Sequence, residues 1–557
     1  MTDYDRRAVR DLLWITLWFL LLIVAGYGLR DPWPADEPRF ALIARDMVAS
    51  GHWLIPTVGS DLYQDKPPLH FWLMASAYAV IGSLRWSFLL PSMLASLGTL
   101  FLVYDIVRRL HGREAAMLAA VTLVCTLQFT ITTRGAQIDA TLVFFVTLSL
   151  WALLRHCLLQ PRVWLLVVAG AAAGLGVIDK AVGFLALLLL PLAWLLQMQT
   201  GRDQLRQLAW LLGSFICTIG LWLLPMLWHV AESGSPALLA YRDELLFQQT
   251  VTRYTAAWHH LRPWHYFFTQ VIPLLWLPVS ALLFWLIPRW WRDLGARRMA
   301  VLLPLVWALL VVVFFSFSSG KRGVYVLPAV PALVIAASAH FVELYQRRGV
   351  ARVSLLLGLT ILVAVAALLV GDAVGWLPAR RVLVDAALQR HWPLWSFLGI
   401  ATILSVFAAR FRAIWAWPLV LACLTVHWGV GVAPQLNGER SARDFMTAVL
   451  VRVPPGKQLG LVAYKEQFLL YVDRPTVNFG HARWREGLAE AYDAASWLAE
   501  DETGRKLLVP EKLLQPCFEA ATKEIAGRSS DEAWWLVSGP PQPDCVRRGD
   551  PRKAIVY

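Results

Sequence analysis

Charge is scarce in this sequence. Of its 557 residues, 16% are Asp, Glu, Lys or Arg, where a soluble domain carries about 25%. That shortfall excludes an ordinary water-soluble fold. No Cys-x-x-Cys spacing occurs among the six cysteines, so nothing suggests a structural zinc site. Internal repeats and long low-complexity linkers are lacking, and the ionisable residues cluster at the ends of apolar segments. A transporter or flippase would instead favour repeated halves and charges at mid-membrane. The first apolar stretch has no small-residue cleavage site, which argues against a removed signal peptide.

What is present is apolar. Hydrophobic residues make up 58% of the chain, with 29 Trp suited to membrane–water interfaces. Segments near 11–29, 84–107, 115–133, 140–156, 162–178, 181–199, 207–229, 266–288, 299–317, 324–345, 353–376, 394–409 and 413–431 approach the length that crosses a hydrocarbon core. About thirteen transmembrane helices are therefore expected. The net charge of +13 sits largely in the short loops. It reads as topology-setting charge with some attraction to anionic membrane lipids, not as a nucleic-acid footprint. Arg6, Arg7 and Arg10 precede the first span. Arg108, Arg109 and Arg113, then Arg155 and Arg162, Arg202 and Arg206, Arg289 to Arg298, Arg347 to Arg352, and Arg410 and Arg412 follow even-numbered spans. The positive-inside rule places all of them, and the N-terminus, in the cytoplasm.

An odd number of spans puts residues 435–557 outside. That tail changes composition. Strand-like runs at Leu459–Ala463, Phe468–Val472, Leu507–Val509 and Trp534–Val537, with a helical stretch near 484–499, predict a small α/β domain. Residues 1–434, including an external juxtamembrane loop over 30–83, form the membrane domain. Cys517 and Cys545 share the external tail, where an oxidising compartment would let them pair.

The external loops hold most of the candidate chemistry. The first begins Asp36-Glu37-Pro38-Arg39 and continues as an amphipathic stretch, with Phe40, Ile43 and Met47 on one face and Arg39, Arg45 and Asp46 on the other. That pattern suits a helix lying in the membrane interface. Asp36 fits a helix cap, a cleft carboxylate or both. Residues 51–56 look like a short strand. Tyr63-Gln-Asp65-Lys66-Pro67-Pro68 presents Lys66 before a stiff proline pair, either as a solvated lysine or as a phosphate ligand. A helix resumes over 69–82. Arg134 and Asp139 lie near the external edge, where a mutual salt bridge competes with a functional role. Lys180 reads as a snorkelling lysine or a site cation. His259 and His260 are neighbours, so metal binding by His260, with Asp139 as a second weak candidate, has little support from spacing. Lys321, Arg322 and Tyr325 make a plausible phosphate clasp, set against external anchoring charge. Arg253 lies in the same set of loops. No member is specific alone; their shared side is the signal.

Several of these segments together resemble a known family. Asp36-Glu37-Pro-Arg-Phe, Trp53-Leu-Ile-Pro, Leu62-Tyr63-Gln-Asp65-Lys66-Pro67-Pro68, the Asp139 loop, His260-x-x-Pro263-Trp264 and Lys321-Arg322-x-x-Tyr325-x-Leu-Pro328 are similar to the bacterial aminoarabinose transferases. These sit within a wider group resembling protein O-mannosyltransferases. The resemblance covers the membrane portion and is clearest before residue 70 and around 320–331. It implies the C-type glycosyltransferase fold and an inner-membrane enzyme. That enzyme would move 4-amino-4-deoxy-L-arabinose from undecaprenyl phosphate to lipid A phosphates on the periplasmic side. By motif, Asp36, Asp139 and Glu37 carry over as catalytic carboxylates. Lys66, Arg253, Lys321, Arg322, Tyr325 and Tyr63 carry over as ligands of the carrier phosphate. A divalent metal is compatible but not required, because cations of the chain can replace it. Asp179-Lys180 stands where the family commonly has Lys-Gly. The same fold acting on a protein or another glycan is the alternative.

Overall fold

The computed structural model describes residues 3–197, 202–246, 261–378, 390–480, 483–486, 488–529 and 531–557. They separate into two compact units. The first comprises Met1–Leu29, Gln64–Leu73 and Leu89–Ala433; the second comprises Arg30–Tyr63, Met74–Phe88 and Pro434–Tyr557. The long first loop is thus shared between them.

The first unit is helical. Among the described residues seven helices are long and apolar enough to cross a membrane: Leu84–His111, Ile138–Leu158, Asp203–Ser233, Met299–Phe317, Arg348–Ala373, Trp392–Phe411 and Ala413–Arg440. Two bent pairs, Arg113–Val124 with Leu127–Thr133 (63°) and Phe267–Leu275 with Val279–Gly295 (108°), raise the number to nine. The expected count of about thirteen is not reached by this measure, for local reasons. The segment expected at 162–178 is the 17-residue helix Val163–Asp179, only about 25 Å long. The one at 181–199 opens with a 3-10 stretch, Ala181–Leu188, before Leu189–Gln197. The one at 324–345 is split into Gly323–Val326, Ala329–Ser338 and Phe341–Leu344, with Pro328 and Pro331 in the broken stretch. Pro lacks the donor a continuous helix needs.

Small residues let these helices touch. A Cβ built on Gly170 would lie 2.0 Å from Ser214 Oγ and 2.2 Å from the Leu211 carbonyl oxygen. Only glycine permits Val163–Asp179 to approach Arg202–Ser233 so closely. Leu221, Leu224 and Trp228 on the latter helix, and Leu356, Val363 and Val370 on Arg348–Ala373, are exposed. Apolar side chains on an outer surface are what hydrocarbon requires.

The second unit contains a six-stranded mixed sheet and a hairpin. The hairpin pairs β1 (Thr57–Val58) with β2 (Asp61–Leu62); the strand expected at 51–56 forms one residue later and is shorter. The sheet has the order β6-β7-β5-β3-β4-β8, with β3 Gln458–Leu461, β4 Thr476–Asn478, β5 Arg505–Pro510, β6 Thr522–Ser529, β7 Glu532–Ser538 and β8 Ile555–Val556. β3 runs parallel to β4 and β5; the other pairings are antiparallel. Helix Ala489–Glu500 packs Ala491, Ala494, Trp497 and Leu498 into a core shared with Leu507, Val509 and Val537. Phe468–Val472, expected as a strand, begins instead in the helical turn Glu466–Leu469. Phe468, Leu469 and Leu470 are all buried, and an unbroken apolar run carries no period that separates strand from helix. Cys517 and Cys545 are joined as a disulfide across 28 residues. Closing a loop of that size contributes about 3 kcal/mol through the unfolded chain.

One buried acid makes this unit pH-sensitive. Glu490 is fully buried, and its Oε1 accepts a 2.7 Å hydrogen bond from the Ala463 N–H. Burial pushes its carboxyl up to about 7, against the pull of that bond and of Arg483. Below about 4.5 the group is protonated folded or unfolded, and stability is full. Between that pH and about 7 only the unfolded chain ionises, so roughly 3 kcal/mol is lost as pH rises through this window. Hydrogen exchange of the β3 amides is expected to quicken over that range, and Glu490→Gln to flatten the dependence. An unchanged profile in the variant would remove Glu490 as its source.

Candidate active site

The candidate residues fall in both units, and each group is described in its own unit. In the second, the chain entering helix Glu37–Ser50 is closely held. Glu37 is buried. Its Oε2 accepts from Arg30 Nη1 at 2.5 Å and from the Trp33 N–H at 2.9 Å, while Oε1 accepts from Arg30 Nη2 at 2.7 Å. Both Glu37 oxygens close the 30–37 turn on itself. Trp33 lies beneath the guanidinium groups of Arg30 (4.8 Å) and Arg440 (5.2 Å), and its indole donates to Asn437 Oδ1 at 3.0 Å. Asp31 pairs with Arg443 at 2.7 Å.

Asp36 differs from its neighbour. It occupies the N-cap position with Pro38 in the first turn, yet its side chain makes no cap hydrogen bond. The helix start is served instead by its carbonyl, which accepts from the Phe40 N–H at 3.0 Å. Three residues on, Arg39 binds Glu466 at 2.7 Å through both Nε and Nη2. Burial opposes the charge of Arg39, but Glu466, then Tyr63 and Asp36, hold its pKa above the usual range. Tyr63 is buried.

The apolar face of this helix is buried as its spacing predicts, through Phe40, Ile43 and Met47. Its polar face finds protein partners. Arg45 donates to the Leu469 and Leu470 carbonyls at 2.9 and 3.0 Å, and Asp46 accepts from the Tyr557 hydroxyl. Charged groups that reach protein partners have no need of an interfacial location.

In the first unit, two neighbouring residues at the end of helix Val163–Asp179 meet the first turn of helix Ile138–Leu158. Lys180 Nζ donates to Asp139 Oδ1 at 2.6 Å. Thr141 Oγ1 lies 2.9 Å from both oxygens of Asp179. Lys180 is extended, with φ −158° and ψ 116°, so the side chains of 179 and 180 diverge. The chain can fold back here because a Cβ on Gly183 would lie 2.2 Å from the Gly176 carbonyl carbon. The Lys180 ammonium also sits 4.9 Å from the centre of the Tyr325 ring, a cation–π contact. Tyr325 in turn packs against Phe315. Asp139, Lys180 and Tyr325 therefore form one cluster. Snorkelling does not describe this lysine, and Arg134, the salt-bridge alternative for Asp139, is turned to the Leu22, Ile23 and Ala25 carbonyls at 2.8, 3.1 and 3.0 Å.

Lys66 Nζ donates to the Asp65 carbonyl at 3.1 Å. Lys321 is buried. Its ammonium donates to the Arg262 carbonyl at 3.0 Å and to that of Ser318, so one backbone oxygen of its own turn and one from a segment 59 residues earlier hold it. Arg322 begins the 3-10 turn Gly323–Val326, where the Gly323 carbonyl accepts from Gln128 Nε2 at 2.6 Å. Arg253 and His260 lie outside the described residues. Among the described residues no group of three His, Cys, Asp or Glu side chains is placed to hold a metal ion, and Asp139 is paired with an ammonium.

The sequence pattern gives no joint role to His70, Thr141 and Asp179. His70 Nδ1 lies 3.1 Å from Thr141 Oγ1, and all three residues are buried. A His and an Asp inside apolar helices were the available signal; their meeting spans 71 and 38 residues of chain and has no local signature.

The chain as a whole has counterparts. Residues 65–229 match the family model for dolichyl-phosphate-mannose-protein mannosyltransferase. An undecaprenyl phosphate-alpha-4-amino-4-deoxy-L-arabinose arabinosyl transferase of Pseudomonas fluorescens is 28% identical over 62% of this chain, which spans 60% of that relative's length. One from Pseudomonas aeruginosa is 28% identical over 74% of the chain and 73% of its own. The structure of ArnT from Cupriavidus metallidurans bound to undecaprenyl phosphate superposes with a TM-score of 0.71 at 20% identity, covering 94% of this chain and 97% of that one. Its apo state gives 0.72 over 99% and 100%. The chain is accordingly a polytopic α-helical membrane protein with the fold of ArnT from Cupriavidus metallidurans, and it is similar in sequence to the undecaprenyl phosphate-alpha-4-amino-4-deoxy-L-arabinose arabinosyl transferases.

Proposed function

We propose that this protein transfers 4-amino-4-deoxy-L-arabinose from undecaprenyl phosphate to phosphate groups of lipid A. The Asp139–Lys180–Tyr325 cluster at one end of the bundle carries the reading. A carboxylate and an ammonium kept together at a span end fit the charges such a donor presents. In the reaction the bond from the sugar's anomeric carbon to the carrier phosphate oxygen breaks. A bond from that carbon to an acceptor phosphate oxygen forms, and undecaprenyl phosphate leaves with the electron pair. Lys66, Lys321, Arg322 and Arg253 serve the departing phosphate, with Tyr63 and Tyr325 as further ligands. Asp36 and Asp139 serve the cationic sugar or its amino group. An acceptor phosphate is already anionic near neutral pH and needs little base; a Ser or Thr acceptor would need one, and Asp36 would supply it.

The topology that goes with this function has about thirteen spans in residues 1–434, counting the N-terminal helix Asp3–Phe19 and the three shorter segments near 162–178, 181–199 and 324–345. The N-terminus faces the cytoplasm of a bacterial inner membrane. The donor site and residues 435–557 face the periplasm.

The decisive experiment uses purified full-length protein with synthetic polyprenyl-phosphate sugars, offered lipid A in one reaction and a Ser/Thr peptide in another. Aminoarabinose on lipid A, seen as a mass increase, is expected. Glycosylated peptide with unmodified lipid A would transfer the assignment to a protein acceptor.

A further inference from the structure

We infer that the His70–Thr141–Asp179 chain is a positioning device that ties the Lys66 loop to the Asp139–Lys180 pair. The inference rests on the function proposed above, in which Lys66 and Asp139 act on the same donor.

The connection is short at both ends. His70 follows Lys66 by four residues, two of which are Pro67 and Pro68; fixed φ angles leave little slack between them. At the other end Thr141 and Asp139 belong to the first turn of one helix, and Asp179 and Lys180 are consecutive. Lys180 grips Asp139 on one side, and Asp179 meets Thr141 on the other. The His70 ring, at 3.1 Å from the same hydroxyl, brings a third segment to this two-point clamp.

The direction of the chain follows the charge of Asp179: an ionised carboxylate accepts from Thr141, and a protonated one donates to it. A threonine hydroxyl has one proton to donate and lone pairs to accept with. With Asp179 ionised, that proton goes to the carboxylate. Thr141 must then accept from His70, which places a proton on His70 Nδ1. Thr141 Oγ1 also lies 2.8 Å from the Ile138 carbonyl, a competing acceptor that a carboxylate outbids. A carboxylate, a hydroxyl and an imidazole buried together in an apolar bundle are costly unless all are bonded, so the arrangement holds its geometry strongly.

The test compares Thr141→Val with Thr141→Ser, and His70→Leu with His70→Asn, whose amide nitrogen reaches where Nδ1 lies. In transfer assays with undecaprenyl-phosphate aminoarabinose and lipid A, T141V and H70L are expected to lose about 30-fold in kcat/KM. Most of the loss falls in kcat. T141S and H70N recover at least a third of wild-type turnover, a pattern that helix packing alone does not produce. Turnover of T141V and H70L within threefold of wild type would overturn the inference, and so would an H70N as poor as H70L. If the wild type transfers no aminoarabinose, the proposed function fails on its own. The chain is then read with undecaprenyl phosphate alone. Its upward shift of the thermal midpoint should be smaller in T141V than in wild type and T141S, and equal shifts would overturn the device.

Discussion

Asp36→Asn is expected to lower kcat by at least about 100-fold while the protein still inserts and folds. The change keeps the shape of the side chain and removes its charge. The carboxylate makes no cap bond to the helix it precedes, and its charge acts on Arg39. The helix it introduces is anchored elsewhere, by Arg39 to Glu466 and by Arg45 to two carbonyls. Glu37→Gln provides the contrast. Its two oxygens receive three donors from Arg30 and Trp33, and one partner of a buried ion pair is costly to remove, about 3 kcal/mol. Glu37→Gln should therefore lower the thermal midpoint more than Asp36→Asn and spare turnover in the molecules that remain folded. Transfer assays on the two variants, with midpoints measured in the same detergent, check both halves. Normal turnover in Asp36→Asn would remove Asp36 from the chemistry.

The two carboxylates stand side by side in sequence, and nothing in the motif separates their tasks. What the sequence does carry is periodicity and composition. Phe40, Ile43 and Met47 recur at helical spacing, and the helix forms with that face buried. Leu507–Val509 and Trp534–Val537 are short β-rich runs, and both lie in paired strands. These features are written locally, so they are legible. The failures are non-local. The polar face of helix Glu37–Ser50 looks interfacial until Glu466 and Tyr557, more than 400 residues on, supply its partners. Lys180 looks like a snorkelling lysine until the close pass of Gly176 and Gly183 turns it toward Asp139. The adjacent Lys321 and Arg322 suggest a clasp of two cations, and their sequence gives no hint that the Lys321 ammonium meets the carbonyls of Ser318 and of the distant Arg262. Such outcomes depend on which partners the fold delivers, and one sequence does not encode that in any short window.

Lys180→Met is the second large effect. It leaves the Asp139 carboxylate, about 5% exposed, without its ammonium, and stability is expected to fall by about 3–5 kcal/mol. Asp139→Asn leaves the ammonium with the Tyr325 ring and an amide oxygen, a milder loss. The double variant removes both charges and should regain much of the stability lost in Lys180→Met, a coupling of about 2 kcal/mol for residues in direct contact. Activity is expected to behave otherwise. If Asp139 and Lys180 act on the donor's sugar and phosphate, each single variant loses roughly 100-fold in kcat/KM, and the double variant recovers none of it. The two readouts thus separate. A pair that only holds two helices together would return stability and transfer in step when both charges are removed. A pair that faces substrate returns the first without the second, and thermal midpoints set beside initial rates across the four proteins of this cycle distinguish them.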